Sequence, residues 1–301
     1  MSSGPDVSIV LCTKNRSRLL VDALASLRDL RPTPGGVELV LVDNGSTDDT
    51  KAVVQRFQLE LPFAVRYVFE TTPGLSAARN RGIREAEGEY VFFTDDDQLV
   101  DPDAVREHLR VAKKYGSRAQ LGAIALKFVG TRPSWLRGRL VTVLGETADV
   151  PEGPADVHLY GGNMFFERTL FRELSAFRED LGKGTAGYSE DIEISQRLRA
   201  MHVPIVYAPT ARIYHVIDED RASEAFFRRN SYEKGYSDGL LQASRVRLVP
   251  ALLANGGLAL ANGYLSVLHR LRRDDYATLL AETRAYDRVG RLLGLIRARV
   301  S

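Results

Sequence analysis

The first hundred residues alternate between short apolar runs and longer amphipathic ones, and this alternation restricts the fold more than any other feature of the chain. Runs that are short and rich in β-branched or aromatic residues predict strands over 7–12, 37–42, 65–69 and 89–94. Helices are predicted over 17–30, 48–57, 75–86 and from 101 to about 115. Strands that alternate with helices through short turns form βαβ units. We therefore expect an α/β fold with a mostly parallel sheet flanked by helices.

The second half of the chain is less regular. It predicts a strand over 121–128, a loop over 129–156, a strand within 160–167, a helix over 189–201 and strands over 205–208 and 211–215. From about 221 the pattern is helical to the end, with a break near 273–274. The sequence thus predicts an α/β body over 1–220 and a helical C-terminal region over 221–301.

Polar and charged side chains follow three of the predicted strands, at the point where each strand ends. The first strand is followed by Thr13, Asn15 and Arg16, the second by Asp43 and Asn44, and the fourth by Asp95, Asp96 and Asp97. In parallel sheets the carboxyl ends of the strands meet at one edge, and ligands bind outside it. We expect these residues to converge on one site.

Three consecutive carboxylates, Asp95–Asp97, need an explanation because neighbouring charges repel and burial of unpaired charge is costly. Carboxylates are preferred ligands of Mg²⁺ and Mn²⁺, and such a cation also holds a diphosphate. The alternative is a solvated acidic turn at a helix start, a role that Asp101 and Asp103 already fill. The sequence therefore favours a cation site here.

Three further motifs have both a functional and a structural interpretation. Glu190 and Asp191 begin a predicted helix, where acids also complement the helix dipole. His215 ends a strand and is either a metal ligand or a structural histidine. Gly162 and Asn163, after Gly161, indicate either a close backbone approach beside a ligand or a plain β-turn.

Five segments occur in an order that resembles the inverting family 2 glycosyltransferases of GT-A fold. They are VSIVLCTKNRSRLL, VELVLVDNGSTDDT, PGLSAARNRGI, YVFFTDDD and SEDIEISQRLR, and the resemblance extends over roughly residues 5–217. Each segment alone is weak, but five in order are specific. The resemblance implies a nucleotide-binding half over about 1–115 and an acceptor half over about 116–220.

The resemblance also implies roles for individual residues. The nucleotide-sugar donor would be bound by Thr13, Asn15, Arg16, Asp43, Asn44, Arg79, Asp95, Asp96, Gly162 and Asn163. Asp43 would accept a hydrogen bond from a uracil or thymine base, which predicts a UDP- or dTDP-sugar. Asp97, with His215, would bind Mn²⁺ or Mg²⁺. Asp191 would act as the general base for a hydroxyl acceptor, with Glu190 beside it.

Two other functions remain as alternatives. A sugar nucleotidyltransferase would need a glycine-rich phosphate loop after the first strand, and CTKNRSR contains no glycine. A degenerate GT-A scaffold or sugar-binding subunit would not need intact catalytic motifs, whereas this sequence keeps them.

Gly182, Gly184 and Gly187 match the spacing of a dinucleotide-binding fingerprint, but no apolar strand precedes them. A loop that becomes ordered over the donor is the better interpretation.

Charge and the chain's start bear on location and partners. The net charge of +2 gives no general reason to expect nucleic acid as a partner, but residues 221–301 carry 14 Lys and Arg against 7 Asp and Glu. The first residues show no signal-peptide pattern, and the single cysteine, Cys12, lies in an apolar run that predicts a buried thiol. We expect a cytoplasmic enzyme, peripheral on the inner face of the membrane if the basic tail binds there, with a saccharide or lipid-linked glycan as acceptor.

Residues 248–268 form an uncharged stretch of 21 residues, long enough to span a bilayer. Pro250, Asn255, Asn262 and three glycines weaken its insertion signal. We favour a pair of buried helices in a C-terminal bundle. The alternatives are a membrane-surface segment with basic flanks, over 245–273, and a true span.

Overall fold

The structure is a computed structural model that describes residues 4–147, 150–185, 187–243, 246 and 248–300. It divides into two compact units. The first contains Met1–Lys127, Glu146–Glu179 and Glu190–Val216, and the second contains Phe128–Gly145, Asp180–Ser189 and Ile217–Ser301. The predicted boundary at 220 stays a prediction, and two earlier segments join the C-terminal helices in the second unit.

Four parallel strands form the first part of the sheet in the first unit. They are β1 (Val7–Thr13), β2 (Val37–Asp43), β3 (Ala64–Phe69) and β4 (Tyr90–Asp95). The helices of this part are α1 (Ser17–Ser26), α2 (Thr50–Glu60), α3 (Leu75–Glu85) and α4 (Ala104–Tyr115). Every strand and helix predicted in the first hundred residues is present, with bounds shifted by a few residues.

The rest of the sheet contains antiparallel pairs. It consists of β5 (Gln98–Val100), β6 (Ala119–Phe128), β7 (Gly153–Pro154), β8 (Met164–Glu167) and β9 (Ile205–Ile217), with helices α5 (Leu170–Leu174) and α6 (Glu190–Ala200). The strand order is β3-β2-β1-β4-β8-β6-β9-β5, and β7 pairs with β9.

Three expectations for this part are corrected. The two strands predicted over 205–208 and 211–215 are one strand, β9, because Pro209 fits its extended backbone without ending it. β5 and α5 were not predicted, since elements of three and five residues show no periodicity. The predicted loop over 129–156 contains a 3₁₀ helix, Gly138–Leu144, and β7.

The core lies on both faces of the sheet, because neighbouring strand residues point to opposite faces. Val10 and Phe93 pack into one apolar cluster, whereas Ile9 and Phe92 pack into the other. Strands covered on both faces are apolar throughout, which explains the continuous runs in the sequence. Cys12 is buried, as predicted.

Three long helices make up most of the second unit: α7 (Glu224–Gln242), α8 (Leu248–Leu271) and α9 (Asp275–Val300). The predicted break near 273–274 is confirmed. α7 and α9 pack closely, because a Cβ added at Gly235 would overlap the Asp287 backbone and one at Gly290 would overlap that of Tyr232. α8 packs against α9.

The prediction of a buried helix pair over 248–268 is wrong. This segment lies within the single helix α8, and only 11% of its most apolar 18-residue window is buried. Pro250 lies in the first turn, where a missing N–H is tolerated. A Cβ at Gly256 or Gly263 would meet no atom within 4 Å. By length and composition, α8 could cross a membrane.

Candidate functional site

The ends of β1, β2 and β4 lie side by side in the first unit. Thr13 is in register with Asp43, and Cys12 is in register with Asp95. The polar residues that follow these strands therefore lie at one edge of the sheet, as their positions in the sequence predict.

The acid turn, Asp95–Asp97, is held by residues from the loop after β1. Asp96 accepts hydrogen bonds from Thr13 Oγ1 (2.7 Å) and from Arg16, whose other terminal nitrogen donates to Asp97 Oδ2 (2.9 Å). Burial raises the pKa of Asp96 to about 7, although the Arg16 charge opposes the shift and Asp97 adds to it. One arginine thus offsets part of the repulsion between two buried carboxylates.

Asp97 and His215 are brought together by β5, the strand that was not predicted. β5 pairs with β9 so that Gln98 lies opposite His215, and His215 Nε2 lies 3.7 Å from Asp97 Oδ1. Neighbouring ligands of an octahedral cation lie about 3 Å apart if each is about 2.1 Å from it. The observed separation is longer than this, so a small movement of either side chain would let the carboxylate and the imidazole bind one divalent cation.

Such a cation would take further ligands from a bound substrate and from water. In the part of the chain that the structure describes, no three His, Cys, Asp or Glu side chains are grouped as a metal site. Mg²⁺ usually takes one or two carboxylates and completes its shell with substrate phosphates and water. The residues present therefore fit a cation that is bound jointly with a diphosphate.

Asp43, expected to bind a base, is almost fully buried. Its Oδ2 accepts from the Tyr67 hydroxyl (2.7 Å) and its Oδ1 from the backbone N–H of Ser46 (2.8 Å). Burial, together with the hydrogen bond to Asp43, raises the pKa of Tyr67 above its usual value. These two bonds fix the direction of the carboxylate, which retains further lone pairs to accept from a ligand.

Asn15 and Asn44 tie neighbouring loops of this edge together. Asn15 has a left-handed backbone (φ 52°), and its Oδ1 accepts from Thr47 N–H (2.7 Å). Asn44 donates to the Thr72 carbonyl (2.7 Å) and accepts from Gly74 N–H (2.9 Å). Both side chains therefore hold the shape of the cleft.

Arg79 connects the acid turn to the second acidic motif. The side chain is 2% exposed, and Nη1 donates to Glu190 Oε1 (2.7 Å) while Nη2 lies 3.4 Å from Asp95 Oδ1. Its guanidinium also lies 5.6 Å from the ring centre of Phe177. A buried cation held by two carboxylates fixes both acidic motifs in one arrangement.

Asp191 differs from Glu190 because, among the residues that the structure describes, no side-chain cation is hydrogen-bonded to it. Its carboxylate accepts from the backbone N–H groups of Gly161 (3.2 Å) and Ile192 (2.8 Å) and is partly exposed. Burial, followed by the charge of Glu190, raises the pKa of Asp191 to about 7, against the effect of Arg79. A carboxylate of this pKa can accept a proton near neutral pH.

Gly161 and Gly162 lie in a turn whose backbone closely approaches other side chains of the protein, and a role beside a ligand stays a prediction. A Cβ at Gly161 would overlap the Arg79 guanidinium, and a Cβ at Gly162 would overlap the Gln98 amide. Asn163 is fully buried and donates to the carbonyls of Ala123 (2.9 Å) and Ala211 (3.0 Å). The three residues thus shape the site through the protein interior.

The sequence did not predict three residues that support the site. Gln98 Oε1 accepts from Asp95 N–H (3.0 Å) and so holds the acid turn. Tyr67 orients Asp43, and His108 lies 2.9 Å from Asn163 Oδ1 in the core. The position of Gln98 directly after the three acids is a signal that could have identified it.

This chain is similar to several known proteins. A family model described as "Glycosyl transferase family 2" matches residues 8–175. The succinoglycan biosynthesis protein ExoM of Rhizobium meliloti is 27% identical over 79% of this chain and 76% of its own length. The validoxylamine A glucosyltransferase of Streptomyces hygroscopicus subsp. limoneus is 27% identical over 96% of this chain and 67% of its own length. The putative glycosyltransferase EpsH of Bacillus subtilis matches over 30% of its length, so the chain spans less than a third of that protein.

Solved structures show the same fold. The mannosyltransferase PcManGT of Pyrobaculum calidifontis, in complex with GDP-Man and Mn²⁺, has a TM-score of 0.62 at 20% identity and covers 94% of this chain and 86% of its own. TarS 1–349 of S. aureus, in complex with UDP-GlcNAc, has a TM-score of 0.54 at 17% identity and covers 92% of this chain and 90% of its own. The predicted α/β GT-A fold is confirmed.

Proposed function

Because this chain belongs to glycosyl transferase family 2, we propose that it is a metal-dependent inverting glycosyltransferase of the hexosyltransferase type. It moves a sugar from a nucleoside diphosphate to a hydroxyl acceptor. The observation that carries the proposal is the buried Arg79, which joins the acid turn to the Glu190–Asp191 pair. The link supports the proposal, because it holds Asp95 and Glu190 in a fixed position relative to each other.

The donor nucleotide occupies the cleft at the ends of β1, β2 and β4. Asp43, held by Tyr67, accepts from the base, and Asp95 contacts the ribose. Thr13, Asn15 and Asn44 line the pocket, and Arg16 with Asp96 supports it. A uracil or thymine base offers the imide N–H that Asp43 needs, so we propose a UDP- or dTDP-sugar. Gly162 and Asn163 contribute indirectly, through the backbone beside the sugar.

Asp97 and His215 would hold the divalent cation, Mn²⁺ or Mg²⁺, and the diphosphate would supply further ligands. When bound, this cation neutralises the negative charge that develops on the departing nucleoside diphosphate. The mannosyltransferase PcManGT is described in complex with GDP-Man and Mn²⁺, which supports a cation in this role.

Asp191 acts as the general base. It takes the proton from the acceptor hydroxyl as that oxygen attacks the anomeric carbon, and the bond from this carbon to the diphosphate oxygen breaks in the same step. Attack from the face opposite the leaving group inverts the anomeric centre. Glu190 accepts from Arg79, so we assign it to positioning, and Arg79 keeps both acidic motifs aligned.

The stereochemistry of donor hydrolysis tests this proposal. UDP-α-glucose and dTDP-α-glucose are incubated with the protein and Mn²⁺, and the anomeric proton of released glucose is followed by NMR at early times. We expect the β-anomer first, loss of turnover on chelation with EDTA, and recovery on Mn²⁺ addition. Release of the α-anomer would contradict inversion. Absence of turnover with nucleotide binding intact would favour a sugar-binding subunit.

We also propose that α8 lies on a membrane surface. The buried side chains of α8 are polar, Asn255 and Ser266, whereas Leu253 (73%), Leu260 (79%) and Leu271 (77%) are exposed. This distribution is the reverse of that on a helix in water. Basic residues follow at the C-terminal end, Arg270, Arg272 and Arg273, and suit anionic headgroups. Such a location would bring the enzyme to a lipid-linked acceptor on the cytoplasmic face.

Vesicle sedimentation tests the membrane proposal. The protein is mixed with vesicles that contain about one third phosphatidylglycerol, or with neutral vesicles. We expect sedimentation with the anionic vesicles, and loss of it in the variant Leu253→Ser/Leu260→Ser. A protein that stays in the supernatant with both vesicle types would rule the proposal out, and a shift to dimers alone would assign the apolar face to self-association.

A further inference from the structure

Phe69 is an exposed aromatic side chain at the end of β3, in the first unit. It is 50% exposed, and the other exposed large apolar side chains in the described part of this unit are Leu59 and Met201. Single exposed apolar side chains are common on protein surfaces, so exposure alone indicates no function. Phe69 differs from the other two in its position, because it lies at the carboxyl end of a strand, beside Asp43.

Pairing within the sheet fixes this position. Phe69 is in register with Asp43, and Asp43 is in register with Thr13, so the three residues form a row across the carboxyl ends of β3, β2 and β1. Neighbouring strands of a sheet lie about 4.8 Å apart. The backbone of Phe69 is therefore one strand away from the carboxylate that we propose as the acceptor for the nucleobase.

A hydrogen bond shows which face of the sheet Phe69 occupies. Residues two apart in a strand point to the same face. Tyr67, two residues before Phe69, lies on the face of Asp43, because its hydroxyl donates to Asp43 Oδ2 (2.7 Å). Phe69 therefore points to this face as well. Tyr67 orients the carboxylate, and Phe69 adds an apolar surface next to it.

The backbone around Phe69 is held before any ligand binds. Glu70 N–H donates to the Asp43 carbonyl (2.9 Å), which continues the pairing of β3 with β2 beyond Phe69. Asn44 donates to the Thr72 carbonyl (2.7 Å) and so fixes the loop that follows. In the described sheet, β3 is an edge strand. The ring is thus attached to a fixed backbone but is itself open to a ligand, an arrangement that lowers the cost of binding.

A nucleobase needs an aromatic contact that the rest of the cleft does not offer. Its edge carries hydrogen-bond donors and acceptors, whereas its two faces are π surfaces that stack on aromatic rings. The residues that follow β1, β2 and β4, at 13–16, 43–46 and 95–98, are polar or charged except for Gly45. They can contact the edge of a base, a ribose or a diphosphate. Phe69 supplies a ring beside them.

We propose that Phe69 stacks on the nucleobase of the donor while Asp43 accepts a hydrogen bond from the edge of that base. The inference rests on the proposed function and adds a binding residue that lies outside the motifs of the sequence. The two side chains divide recognition between them. Asp43 selects the base through its imide N–H, and Phe69 contributes affinity that is similar for uracil and thymine, because every base has a π face.

Isothermal titration calorimetry of the full chain, with Mn²⁺ present, tests this inference. The probes are UDP, dTDP and dihydrouridine diphosphate, whose base keeps the imide edge but is not a flat aromatic ring. We expect wild type to bind UDP about tenfold more tightly than the dihydro analogue. Phe69→Ala should bind UDP and dTDP about tenfold more weakly than wild type and should no longer distinguish UDP from the analogue. A purely structural role of Phe69 would not remove this distinction.

Leu59→Ala is the matched control. Leu59 is 90% exposed near the C-terminal end of α2, where the chain leads to the start of β3 and so to the opposite edge of the sheet. We expect its UDP affinity to equal that of wild type. The Tm without nucleotide should be nearly the same in both variants and in wild type, because both side chains are exposed.

Two further variants separate stacking from apolar volume. Phe69→Tyr keeps the ring and should bind UDP within about twofold of wild type, whereas Phe69→Leu keeps apolar volume without a ring and should bind weakly. Wild-type affinity in Phe69→Leu or in Phe69→Ala overturns the inference alone, and so does an unchanged preference for UDP over the dihydro analogue in Phe69→Ala. If wild type binds no nucleoside diphosphate, the proposed function is rejected and the inference with it.

Discussion

Asp96 in the acid turn and Asp191 at the start of α6 both have a pKa raised to about 7, yet their surroundings differ. Asp96 is 3% exposed and accepts from the side chains of Thr13 and Arg16. Asp191 is partly exposed and accepts from two backbone N–H groups. A raised pKa alone therefore does not identify a base. Access to a substrate decides between them, and it favours Asp191 for proton transfer and Asp96 for support of the cleft.

The largest expected effect separates these two roles. Asp191→Asn removes the proton acceptor but keeps the oxygen that accepts from Gly161, so we expect turnover to fall by about 10²–10⁴. Donor KM should change by less than about twofold. Glu193→Gln is the control on the same helix, because Glu193 pairs with Arg197 and should leave turnover nearly unchanged. A comparable loss in both variants would contradict the assignment.

The link between the two acid clusters can be broken at Arg79. Arg79→Met leaves Glu190 and Asp95 without their shared cation, and breaking a buried ion pair costs about 3–5 kcal/mol in the free energy of unfolding. Urea denaturation measures the change. Arg81→Met on the same helix is the control, since its exposed pair with Glu85 contributes about 0.3–0.5 kcal/mol. Equal stability of the two variants would show that the link does not hold the site together.

The pH dependence of turnover sharpens the comparison. Asp191 must be ionised to accept a proton, and its pKa is about 7. Turnover at saturating donor should therefore fall about tenfold per pH unit below 7 and level off above it. The measurement is kcat from pH 5 to 9. The residual activity of Asp191→Asn should not show this fall below pH 7. If the variant shows the same fall, the titrating group is not Asp191.

Stability gives a smaller but independent check on Asp191. Folding raises the pKa of Asp191 from 3.8 to about 7, so ionisation of this carboxyl opposes folding above pH 7 and has no effect below about pH 4. Asp191→Asn should therefore have a higher Tm than wild type at pH 8. The difference should become small at pH 3.5, where the carboxyl is protonated in the folded chain and mostly protonated in the unfolded chain. A lower Tm at pH 8 would argue against the raised pKa.

Periodicity predicted the parallel half of the fold well, because β1–β4 and α1–α4 repeat an apolar pattern over many residues. It also predicted that Thr13, Asp43 and Asp95 lie at one edge of the sheet, since the carboxyl ends of parallel strands meet there. It missed β5, whose three residues place His215 beside Asp97 through pairing with a strand more than a hundred residues later. Long-range pairing of this kind has no local signal.

The side-chain contacts that hold the site together also could not be predicted from the sequence. Nothing local to Arg79 indicates that it joins Asp95 to Glu190, which follows 111 residues later. The helical region was predicted as helical, but the exposure of α8 was not, because apolar composition is the same for a buried helix and for one that faces a membrane. Burial depends on what packs against a segment.

The most direct test of the central claim is thermal stability with nucleoside diphosphates, with and without Mn²⁺, in wild type, Asp97→Ala and Asp191→Asn. A ligand that binds only the folded state raises the Tm. At a concentration 100 times its Kd it adds about 2.7 kcal/mol to the free energy of unfolding. We predict a shift with UDP or dTDP that requires Mn²⁺ in wild type and Asp191→Asn, and no such shift in Asp97→Ala. Equal shifts in all three proteins, or none with any nucleotide, would contradict the division between a diphosphate-binding acid turn and a catalytic Asp191.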